Sequence, residues 1–158
     1  MHINLSLLAW FLLLNNYDRL NFSKKNIAVK DITIRVAMPI CEWRVSPVFD
    51  TAKQVSITDI ERGEVAAQFV IPLQEKLLPR RAVFLLRWRV EILICGGISA
   101  YLARLVAAQG IRVLPGIGGN TDEVLKTFCQ GNIPSSQYVM PGWRGWRRKR
   151  YKRGRYNF

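Results

Sequence analysis

Histidine is almost missing from this 158-residue chain, since the single one, His2, stands at its second position. A Ser-His-Asp or Cys-His arrangement needs an imidazole as proton acceptor, so neither can be built within the body of the sequence. Cysteine is scarce as well. Cys41, Cys95 and Cys129 are an odd number at wide spacing with no CxxC, which signals neither a disulfide framework nor a closed zinc site. A reducing, cytoplasmic setting suits such thiols. Long apolar runs are also lacking. The stretch Leu5 to Leu14 is ten residues of nearly unbroken apolar character, against the roughly 20 that a membrane-spanning helix requires. It has neither the basic start nor the small-residue cleavage site of a signal peptide. Residues 1–31 therefore read as an N-terminal extension, either an added docking helix or the product of a start codon placed too far upstream. Polar "NNYDRLNFSKKN" serves as its linker.

What is present is an ordinary globular composition, 49% hydrophobic and 22% charged, with a formal net charge of +13. The charge is unevenly spread. Residues 144–158 hold eight basic groups and no acid, residues 1–30 hold four and one, and residues 31–143 hold twelve and ten. The body, taken as one domain over residues 32–143, is thus nearly neutral. The basic character belongs to the tail "RGWRRKRYKRGRY".

Periodicity gives the body its elements. "ITIRVAMPI" alternates and ends at a proline, as a strand does. "QVSITDI" and "EVAAQFVI" flank "ERG", which predicts an antiparallel hairpin with a three- or four-residue turn. "PRRAVFLLRWRV" predicts a helix with Pro79 near its start and an apolar stripe through Ala82, Val83, Leu86 and Val90. "EILIC" has the continuous apolar character of a parallel strand covered on both faces. Ser99 suits the N-cap of "AYLARLVAAQ", which Gly110 ends. "IRVLP" is another strand, and "NTDEVLKTFCQG" a helix capped by Asn120 and ended by Gly131. The order is β-β-β-α-β-α-β-α. Right-handed crossovers make this a single α/β domain with a five-stranded mixed sheet, in spatial order 3-2-1-4-5, and helices packed on it.

In that topology the first and fourth strands are parallel neighbours, and Cys41 and Cys95 follow their carboxyl ends. Ligands of open α/β sheets bind at such a place. A helix amino end behind Cys95 favours a thiolate, and Gly96 and Gly97 let a bulky ligand come close. The same residues also read as packing, because free cysteine is among the most buried residue types. Cys129 reads as core, and Met38 and Met140 as soft sulfur or packing. "GIGGNT" has no third glycine for a dinucleotide loop, so Gly116, Gly118 and Gly119 read as a tight strand-to-helix connection. Acids that hold metal in a nuclease are lacking on the first strand and first helix. Asp50, Asp59 and Glu91 read as solvated, and the chain as a non-enzyme.

The segments "WRVSPVFDTAKQ", "LICGGIS", "AAQGIRVLPGIGGNTDEVLKTFCQGNI" and "MPGW" occur in this order, and over residues 32–143 the chain resembles the dinitrogenase iron-molybdenum cofactor biosynthesis family (NifX, NafY and the carboxyl-terminal part of NifB). The resemblance implies a ribonuclease H-like fold without nuclease activity. It also implies binding and transfer of an iron-sulfur or iron-molybdenum cluster, or its precursor, between donor and acceptor proteins. Carried over, the ligand region is Ser46, Pro47, Phe49, Asp50 and Ala52 with Cys95, Gly96, Gly97 and Ser99. Many relatives have Phe-Gly where this chain has Phe49-Asp50. Metal ligands would be Cys95 and Cys41, at an open edge suited to exchange.

The tail supports a different reading. Arg144, Arg147, Arg148, Lys149, Arg150, Lys152, Arg153 and Arg155 interleave with Trp146, Tyr151 and Tyr156. Disordered arms of this kind bind phosphate backbones and stack on bases, so a nucleic-acid adaptor is the alternative function and an acidic protein an equally suitable target.

Overall fold

The computed structural model describes residues 33–133 and 135–144. β1 (Thr33–Cys41) is the central strand. Along one side it pairs antiparallel with β3 (Gln54–Glu61), which pairs with β4 (Glu64–Pro72) at the edge. On the other side it pairs parallel with β5 (Ile92–Ile94), and β5 with β6 (Arg112–Leu114). The order β4-β3-β1-β5-β6 is the one expected from the sequence. A two-residue strand, β2 (Arg44–Val45), is an addition to it. At its end β1, still paired with β3 through Ile40 and Gln54, also forms a tight hairpin with β2, pairing Ile40 with Val45 and Cys41 with Arg44.

At β1 and β5 both faces of the sheet are covered, which explains why these strands are apolar at nearly every position, whereas the edge strand β4 is exposed along most of its length. Ile34, Val36, Met38, Ile92 and Ile94 face one layer with Val124, Leu125 and Phe128 of helix α3 (Thr121–Cys129). Ala37, Val55, Ile57, Leu93 and Cys95 face the other. There they meet Leu85 of helix α1 (Leu78–Arg87) and Leu102 and Val106 of helix α2 (Ala100–Ala108). Each such large side chain contributes about 1.5–3 kcal/mol of burial. The caps are those expected: the Ser99 side chain accepts from Leu102 N–H, and the Asn120 side chain from Asp122 and Glu123 N–H.

Two local expectations are corrected. The β3–β4 turn has two residues, Arg62 and Gly63, both at positive φ (54° and 79°), which is the I′ geometry matching the strand twist. Helix α1 buries Ala82 and Leu85, while Val83 and Leu86 are exposed. Of the expected stripe Ala82 and Val90 are buried, and Leu85 takes the inward place expected of Val83 and Leu86. Arg81 stands on the inward face instead, 6% exposed.

Candidate functional site at the carboxyl ends of the parallel strands

The loop after β2 folds across the turn after β5. Gly97 N–H donates to Pro47 O at 2.7 Å, and Phe49 N–H donates to Gly97 O at 2.8 Å. Ser99 N–H donates to an Asp50 carboxylate oxygen at 3.0 Å. Ser46 Oγ donates to Val48 O inside the loop. A Cβ on Gly96 would lie 2.6 Å from both the Ser46 and Pro47 carbonyl oxygens. The glycine pair therefore lets the chain's own loop come close, the place the sequence reading gave to a bulky ligand. The turn is held from below by Cys95 N–H to Leu114 O and Gly116 N–H to Gly96 O.

Cys95 has 0% exposure and belongs to the α1–α2-side core, a cluster that Phe49 and Ala52 of the loop share. Burial, and secondly the Asp50 carboxylate, push its thiol up to about 12. In this closed arrangement both effects work against the expected thiolate, and the Ser99 N–H of the helix amino end is already taken by Asp50. Phe49, also fully buried, roots the loop in the α1–α2 layer. Arg81 completes the arrangement. Its Nη1 donates to Phe49 O at 3.0 Å and to Ala52 O at 2.9 Å, while its Nε has no partner. Burial lowers its pKa, opposed by the charges of Asp50 and Glu75. An arginine nonetheless stays charged. Sequence reasoning missed this residue, although Arg81 sits three positions after Leu78 and four before Leu85 on one helix face.

Cys41 is exposed, the last residue of β1. The register Ala37 to Leu93 sets Cys95 level with Pro39, so Cys41 lies two residues, about 7 Å, further along its strand. Its hairpin is tied toward α3 through Thr121 N–H to Trp43 O and Val45 N–H to Gly119 O. The loop over Cys95 belongs to the other layer. Among the described residues no three His, Cys, Asp or Glu side chains group as metal ligands.

The remaining singled-out residues have mostly structural surroundings. Cys129 and Met38 lie in the α3-side core. Trp143 covers Gly116, Met140 packs over Gly118 and Tyr138 over Gly119, so the "GIGG" loop is filled by the chain's own closing segment. Asp59 is not a solvated acid, because Arg35 grips it with Nε at 2.6 Å and Nη2 at 2.8 Å. Glu91 is half-buried and accepts from Arg35 N–H, and burial raises its pKa. Arg144 is exposed, while Trp146 to Arg155, and with them the nucleic-acid reading, lie outside the described residues. Residues 1–31 do so too. No described helix is long and apolar enough to cross a membrane.

Solved structures share this fold. The crystal structure of PH0822 matches with a TM-score of 0.64 at 23% identity, covering 71% of this chain and 99% of that one. A candidate dinitrogenase, MJ0327 from Methanocaldococcus jannaschii, matches at 0.55 and 22%, over 65% and 93% of the two chains. The apo orange protein of Desulfovibrio gigas matches at 0.53 and 17%, over 66% and 94%. No curated protein matches the chain. Residues 32–131 match the family model described as dinitrogenase iron-molybdenum cofactor.

Proposed function

The chain belongs to the dinitrogenase iron-molybdenum cofactor family, and from that premise we propose that it binds an iron-sulfur or iron-molybdenum cluster, or a precursor, as cargo and passes it on. The observation that carries the reading is Cys95, a buried thiol at the carboxyl end of a parallel strand, followed by a turn whose Gly97 and Ser99 are hydrogen-bonded to the loop after β2. In the closed state there is no room for a cluster, since the Ser46–Pro47 backbone fills the space against Gly96. Binding therefore needs the loop to lift. Water entry then lowers the cost of thiolate formation, and the thiol proton leaves to solvent as the metal takes the sulfur.

The donor set favours transfer over permanent retention. Four cysteines would complete a closed iron-sulfur cage, whereas the single thiol of Cys95, with Cys41 held apart on the β2 hairpin, leaves metal positions for a donor or acceptor protein to ligate. Ser46, Phe49, Asp50, Gly96, Gly97 and Ser99 shape the enclosure and contribute no chemistry of their own. The chain acts by binding, without a catalytic group.

The test is anaerobic incubation of the full chain with ferrous iron and sulfide, with and without molybdate, then metal analysis and a visible spectrum. Bound iron with thiolate charge-transfer bands, lost in Cys95→Ala, is the expected result. A colourless, metal-free protein would overturn the proposal.

A further inference from the structure

The closed loop is held by backbone bonds to Gly97, by the buried Phe49 ring and by Arg81, and Asp50 adds a side-chain bond from the loop to the start of α2. Its carboxylate accepts from Ser99 N–H at the amino end of α2, where the helix dipole favours an anion. The same charge acts on Arg81 and on Cys95. Arg81 is buried with its Nε unpartnered, and the two hydrogen bonds of its Nη1 both go to carbonyls of this loop. An incompletely satisfied cation beneath the loop is costly to enclose. The carboxylate above it offsets that cost only while the loop is down.

We propose that Asp50 is a positioning residue that latches the Ser46–Ala52 loop over Cys95, so that release of its carboxylate from Ser99 N–H is the step that uncovers the thiol. Closed, the thiol is shielded from metals and oxidants; open, it becomes a ligand. The latch rests on the reading of Cys95 as the ligating thiol, and it determines how fast cargo enters and leaves.

Iodoacetamide labelling of the metal-free full chain, with each cysteine followed by peptide mass, tests it. Cys41 should label fast and Cys95 slowly. Asp50→Ala should speed Cys95 about tenfold, the equilibrium equivalent of one charge-assisted hydrogen bond. Asp50→Asn keeps an acceptor for Ser99 N–H and should fall between. Cys129, in the other core layer, should not change. Cys95 labelling unaffected by Asp50→Ala, or Cys95 and Cys129 accelerating together as in general loosening, would overturn the latch. Iron and sulfide uptake by the same proteins separates the two ideas. Uptake that needs Cys95 but has the same rate in Asp50→Ala sinks the latch and leaves the cargo reading standing. Faster labelling in a variant that takes up no iron does the reverse.

Discussion

Two arginines at opposite ends of this sheet, the half-buried Arg35 and the buried Arg81, are treated differently. Arg35, at the amino end of β1, makes a bidentate pair with Asp59 and donates Nη1 to Trp88 O at 3.1 Å. Its pair holds Asp59 below the usual carboxylate range. Arg81, under the loop at the carboxyl end, donates to two carbonyls and lies over the Phe49 ring at 6.0 Å, with its Nε unpartnered and, among the described residues, no carboxylate within salt-bridge distance. The first arrangement fixes strands and helix end together. The second is satisfied in part, by a segment that has to move if Cys95 is to be used. On the proposed latch, one sheet keeps a firm end and a releasable end.

The contrast can be broken most severely at Gly96. Gly96→Ala places a methyl against two backbone oxygens, and should cost about 3 kcal/mol in chemical denaturation while raising Cys95 labelling well above that of wild type. A native-like stability would mean that the loop yields freely. Alkali should act next. The Cys95 thiol binds its proton more tightly folded than unfolded, so its stabilising contribution is complete below pH 9 and lost as pH rises toward about 12. The expected slope is on the order of 1 kcal/mol per pH unit in that window, absent from Cys95→Ala. The smallest effect belongs to the firm end. Asp59→Asn should cost about 1 kcal/mol at neutral pH and leave Cys95 labelling unchanged. Because Asp59 has its pKa lowered, that cost should fade as pH drops below the carboxylate range. Faster Cys95 labelling in Asp59→Asn would show that the two ends are coupled.

Much of the frame was readable from the residues. Alternation in "ITIRVAMPI", the unbroken apolar "EILIC", and the caps Ser99 and Asn120 are local signals, and connection rules then order the strands. The face of α1 was not readable. Val83 with Leu86 and Ala82 with Leu85 are neighbouring apolar pairs at the same spacing, so periodicity alone does not choose between them. Leu85 goes inward along with Arg81, which bonds carbonyls 29 and 32 residues away. The site had the same difficulty. "CGGIS" announces a tight approach, but only the fold discloses that what approaches is the chain's own Ser46–Pro47 backbone. The short β2 hairpin likewise separates Cys41 from Cys95, where strand adjacency alone would join them.

The bond from Ser99 to Asp50 spans 49 residues, and closing a chain loop of that size costs roughly 3 kcal/mol of entropy before any contact offsets it. The two-residue β3–β4 turn has no comparable barrier. The β1–β5 pairing spans 56 residues, from Ala37 to Leu93, and once it forms it brings Asp50 and Ser99 close together, so the loop contact closes at little further cost. A chain in which β1 and β5 have not yet paired holds the Cys95 thiol without that cover.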